Sequence, residues 1–78
     1  RLSVKEFEML QLMIVHAGHC LSVQYLLEHI WEGDEAATES TVKLYIAYLK
    51  SKLAAVSMCV HIEEVDGHYQ LLAGEENG

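Results

Sequence analysis

Along residues 38–56 the apolar positions Val42, Ile46, Leu49, Leu53 and Val56 recur at steps of four, three, four and three. At about 100° per residue they fall in one stripe, the mark of a helix laying one face on a core. The opposite face carries Ser40, Leu44, Ala47, Tyr48 and Ser51, with Lys43 and Lys50 along one edge and Lys52 along the other. A leucine and a tyrosine therefore point at solvent or at a partner. Thr38 is the predicted N-cap, its hydroxyl accepting from a backbone N–H two or three residues on. Glu39 in the first turn and lysines nearer the end follow the helix dipole, so the charge order also stabilises the helix for its own sake.

Two earlier helices are written as plainly. Ser3 followed three residues later by Glu6 forms a capping box, and Leu2 and Phe7 stand at the spacing of a hydrophobic staple. The first helix is predicted over residues 4–17, with Gly18 as its left-handed stop. Its second half is apolar on nearly every side, and such a helix is one covered on both faces. Ser22 caps the second helix, with Leu21 placed to meet Leu26 as a staple. This helix runs to about Trp31, burying Val23, Leu26, Leu27, Ile30 and Trp31, and Gly33 ends it. Residues 32–37 form a short acidic turn, read on composition alone as a solvated loop.

After the third helix come two β-prone runs, residues 60–65 and 68–72, separated by Asp66 and Gly67. Asp-Gly between such runs signals a type I′ hairpin, whose two central residues need positive φ. That turn pairs Glu64 with Tyr69 and Ile62 with Leu71, so Val60, Ile62, Tyr69 and Leu71 share the core face. Residues 1–72 form one domain, and residues 73–78 an acidic, disordered tail. The fold class is mainly α with a β-hairpin: a winged helix-turn-helix of three helices and a C-terminal wing.

Charge complicates the picture. Twelve acids against five bases give a formal net charge of −7, whereas a domain that grips nucleic acid usually carries a positive surplus. Three of the five cations lie within residues 38–56, so any polyanion must be met by local placement. Cys20 and Cys59 stand in apolar surroundings without CxxC spacing, which predicts buried, reduced thiols and a cytoplasmic setting. No run approaches the ~18 apolar residues of a membrane span. The chain begins at Arg1 without a methionine and is expected to be a piece of something longer.

In combination, LSVKEFEMLQLM, LSVQYLLEHIWEGDE, STVKLYIAYLKSKL and IEEVDGHYQL resemble the successive landmarks of the C-terminal DNA-binding domain of OmpR/PhoB-type response regulators. The resemblance spans residues 2–72. It implies a two-component transcription regulator whose effector domain is controlled by a receiver domain. It also implies a four-stranded N-terminal sheet, absent here, that packs on the first helix. The third helix would enter the major groove, the wing would reach the adjacent minor groove, and residues 32–37 would face RNA polymerase. The positions implied to face DNA are Ser40, Thr41, Leu44, Ala47, Tyr48 and Lys50, with Asp66 at the wing. Lys43 and Lys52 join them as phosphate contacts on charge. Family members carry arginines where this chain has Ala47 and Tyr48, and on the wing, where it has Asp66. Arginine reads guanine bidentately and these residues do not, so binding is expected to be weak and dependent on a dimer on paired half-sites.

The rival class is a degenerate winged helix acting mainly through protein contacts, with Leu44 and Tyr48 as anchors. An enzyme finds no support in the residues. His16, His19 and Cys20 have no second ligand pair at zinc spacing, no nucleophile stands in a catalytic arrangement, and no glycine-rich phosphate loop occurs. The expectation is therefore no catalytic site, no metal and no cofactor.

Overall fold

A computed structural model describes residues 2–56 and 60–73. The order is α1 (Val4–Val15), β1 (Leu21–Ser22), α2 (Val23–Ile30), α3 (Glu39–Ala55), β2 (Val60–Val65) and β3 (His68–Ala73). The three helices and the wing match the expected winged-helix arrangement.

Capping chemistry sets the start of α1. Ser3 Oγ accepts from the Glu6 N–H at 3.2 Å and Glu6 Oε1 accepts from the Ser3 N–H at 2.8 Å, closing the predicted box. The helix ends at Val15 rather than Ala17. The Ala17 N–H bonds to the Ile14 carbonyl in a tightened last turn, and Gly18 at φ 85° sends the chain away. The Gly18 N–H then donates to the Leu71 carbonyl at 3.1 Å, tying this turn to β3.

That tie explains β1, which sequence pattern did not reveal. Leu21 pairs with Tyr69 and Ser22 with His68, extending the hairpin to a three-stranded antiparallel sheet in the order β1-β3-β2. Two residues are too few to show a period of two. Ser22 also caps α2, its Oγ accepting from the Tyr25 N–H at 2.9 Å. In the hairpin, Ile62 faces Leu71 and Glu64 faces Tyr69, as expected, with Asp66 at φ 53° and Gly67 at φ 79°. Burial, with Glu64 across the strand, pushes the Tyr69 phenol above its ordinary pKa.

The core takes Met9 and Met13 from α1, Leu21, Val23, Leu26, Ile30 and Trp31 from β1 and α2, Val42, Ile46, Leu49 and Leu53 from α3, and Ile62, Tyr69 and Leu71 from the wing. Leu27 and Val60, expected inside, are half-buried at its margin. Three departures are instructive. Val56, the predicted last member of the stripe, is 62% exposed, because α3 ends at Ala55 and leaves it at the C-cap. Cys20 is exposed, not buried, because it precedes β1 in the turn while its neighbour Leu21 takes the inward position. On α1, Val4, Phe7, Ile14 and Val15 are exposed, so the described residues cover one face of this helix and leave the other open. Cys59 and residues 74–78 of the expected tail lie outside the described residues.

Candidate nucleic-acid interface

Stripe and edges on α3 fall where the 3.6-residue period puts them. Val42, Ile46, Leu49 and Leu53 are buried, and Ser40, Lys43, Leu44, Ala47, Tyr48, Lys50 and Ser51 are exposed. Leu44 and Tyr48 keep 49% and 46% of their surface open. Thr38 stands at the N-cap in extended conformation, and its backbone N–H donates to Thr41 Oγ1 at 3.1 Å. Thr41 is half-buried, and its hydroxyl oxygen is an acceptor at the helix start.

The two flanks of α3 differ in what covers them. On one, Lys52 Nζ lies 2.7 Å from Glu6 Oε1, the carboxylate that also closes the α1 capping box. Glu6 is only 2% exposed, while Lys52 keeps 41% of its side chain open. The Lys52 ammonium, helped by the Ser3 backbone N–H, holds the Glu6 carboxyl below its ordinary pKa against the opposing effect of burial. Lys52, grouped by sequence with the DNA-facing lysines, is thus committed to bridging α3 and α1. The helical period placed Lys52 on its edge but carried no sign of a partner 46 residues away.

Lys5 is similarly engaged. Its Nζ donates to the Ile30 carbonyl at 2.7 Å, at the negative end of α2, and stands 5.8 Å over the Trp31 ring. Of the four described cations, this leaves Lys43 and Lys50, which form no ion pair among the described residues. Both lie on the flank of α3 opposite Lys52. An anionic body therefore offers its unpaired positive charge beside Leu44 and Ala47.

Around this helix the surface is negative. Residues 32–37 present Glu32, Asp34 and Glu35 to solvent, in a turn set by Ala36 N–H to Asp34 Oδ1 at 3.0 Å and Asp34 N–H to the Trp31 carbonyl at 3.0 Å. Glu63, Glu64 and Asp66 are exposed on the wing, with His61 Nε2 3.0 Å from Glu63. His16, His19 and Cys20 border an open cleft with Tyr25 and His68. Among the described residues no three His, Cys, Asp or Glu side chains are grouped to hold a metal ion, and no helix is long and apolar enough to cross a membrane.

Comparison with known proteins decides the class of this domain. Residues 1–69 match the family described as "Transcriptional regulatory protein, C terminal". The chain belongs to this family. Relatives in it include the transcriptional regulatory protein YxdJ of Bacillus subtilis (strain 168), 34% identical over 73 residues, covering 92% of this chain and 32% of that protein. The response regulator ArlR of Staphylococcus haemolyticus is 31% identical over 62 residues, 80% of this chain and 28% of ArlR. The chain spans about a third or less of the curated relatives it matches. In three dimensions it is similar to the DNA-binding domain of Bacillus subtilis CssR, with a TM-score of 0.77 and 29% identity over 91% of this chain and 77% of that one. The chain is thus a transcription-regulator effector domain with the fold of a DNA-binding winged helix.

Proposed function

We propose that α3 lies in the major groove of duplex DNA, as the effector helix of a two-component response regulator. The observation that carries this is the pairing pattern of the cations: Lys5 and Lys52 are engaged within the fold, and Lys43 and Lys50 stand open on the exposed face of α3. Ser40, Leu44, Ala47 and Tyr48 complete the contact set. Ser40 meets phosphate at the helix N-terminus, and Leu44 meets a thymine methyl where one is present. Guanine is not read bidentately from positions 47 and 48.

Electrostatics bound the affinity. Two lysine–phosphate contacts give a slope of log K against log salt of about −1.8, so a fourfold rise in salt weakens one protomer about 12-fold. A dimer on paired half-sites doubles the slope to about −3.6 and the loss to about 150-fold. Fluorescence anisotropy titrations at several salt concentrations read this directly, and nanomolar binding by an isolated protomer at physiological salt would contradict weak, dimer-dependent binding.

The wing lies beside the groove with its charge inverted, since Asp66 occupies its apex. Asparagine tolerates positive φ, so Asp66→Asn keeps the turn and removes the charge. A unit charge ~10 Å from a phosphate in water repels by roughly 0.4 kcal/mol, so this variant is expected to tighten DNA binding about twofold. Unchanged affinity would place the wing away from the duplex.

In the whole protein, a receiver domain controls this one, residues 32–37 meet RNA polymerase, and the setting is cytoplasmic, with no catalytic role. Exposure of Leu44 and Tyr48 also suits a protein-interaction module, but family membership and the likeness to a DNA-binding domain favour DNA.

A further inference from the structure

We infer that Tyr45, a residue outside the contact set implied by the family, is a positioning residue that braces Tyr48 for a contact with the sugar-phosphate backbone. The inference rests on α3 being the DNA-facing helix. Tyr45 and Tyr48 are three residues apart and so neighbours on one helix face. Their rings meet edge to face with centroids 5.7 Å apart, and Tyr45 meets the buried Trp31 ring in the same way at 5.3 Å. Both separations lie in the favourable range for T-shaped aromatic pairs. A continuous row of rings thus runs from the core to an exposed phenol.

Placement says what this phenol is for. Tyr48 lies roughly 150° around the helix from Lys43 and Lys50, so a helix lying in the major groove turns the lysines to one backbone and Tyr48 to the other. On that second flank Lys52 is drawn to Glu6. Tyr48 therefore supplies a donor there: its phenol O–H donates to a phosphate oxygen, a contact that fixes register without reading sequence. A tyrosine already held by a neighbouring ring loses less freedom on binding than an unbraced one.

The test is a double-mutant cycle on the chain, read by anisotropy with random-sequence duplex DNA and with melting curves to confirm folding. Tyr45→Leu is expected to weaken binding about two- to tenfold, without altering the salt slope, because the lost contact is uncharged. Tyr45→Phe restores wild-type affinity, Tyr48→Phe reproduces the loss, and Tyr45→Leu has no further effect in a Tyr48→Ala background. An equal loss in that background makes Tyr45 merely structural and overturns the inference, as does wild-type binding by Tyr45→Leu or Tyr48→Phe. If Lys43→Gln and Lys50→Gln flatten the salt dependence while the tyrosine variants bind like wild type, the brace alone fails. If the lysine variants change nothing, the DNA assignment of α3 fails and the brace with it.

Discussion

Replacing Lys43 and Lys50 together with glutamine is expected to flatten the salt dependence of DNA binding and to cost each protomer about 30-fold in affinity at physiological salt. The figure follows from the slope of about −1.8 carried from 1 M to about 0.15 M salt. On a dimer the losses multiply to about 10³-fold. Both side chains are exposed and form no ion pair among the described residues, so fold stability should move by no more than about 0.5 kcal/mol. This separation of effects is what makes the experiment decisive. Anisotropy across a salt series reports the slope, and a melting curve reports the fold. A double variant that keeps the wild-type slope would remove α3 from the phosphate backbone and return Leu44 and Tyr48 to the role of protein contacts.

The second large effect belongs to the bridge between α1 and α3. Lys52→Met retains the apolar stem but leaves the Glu6 carboxylate, 2% exposed, without its ammonium partner. Hydrogen bonds to charged groups contribute about 1.5–3 kcal/mol, and the lower end applies because the 41% exposure of Lys52 lets water replace part of the loss. For a domain of this size that lowers Tm by roughly 10 °C. The Ser3 N–H still donates to Glu6, so the helix cap survives.

Acid probes the same bridge. The folded pKa of Glu6 lies below its ordinary value of 4.5, so the stability it contributes is present above that value and is lost as pH falls through it toward the folded pKa. Glu6→Gln removes the titrating group. Thermal melts between roughly pH 5 and pH 3 should therefore show a shallower decline for Glu6→Gln than for wild type. Parallel declines would mean that the bridge contributes nothing to acid sensitivity. If Lys43 and Lys50 hold phosphates as proposed, folded Lys52→Met should keep the wild-type salt slope of DNA binding, which distinguishes a structural lysine from a phosphate-binding one.

Much of this domain is written in short spans of chain. The capping box of Ser3 and Glu6, the hairpin turn at Asp66 and Gly67, the register of Ile62 with Leu71, and the buried stripe of Val42, Ile46, Leu49 and Leu53 all depend on residues within a few positions of one another or on a turn that aligns them. The exposed face of α3, with Leu44, Ala47 and Tyr48, follows from the same helical period. Errors gathered at ends and turns. Val56 and Ala17 fell outside helices that stop a residue or two earlier, and Cys20 turned outward at a chain reversal.

Periodicity and local hydrogen bonding therefore determined, from the residues alone, which elements form and which face of each meets the core. Which groups remain open to a partner was decided only when the elements packed. Lys52 looked equivalent to Lys43 and Lys50 until α1 set Glu6 against it, and Tyr45 became a brace only when α2 ended with Trp31 beneath its ring. The physical reason is that a helical step constrains angle within one element, whereas neutralising a charge or ordering a ring requires a second element at a distance that no local pattern encodes. The chain wrote the shape and the faces of α3, and the packing decided which of its lysines is paired within the fold.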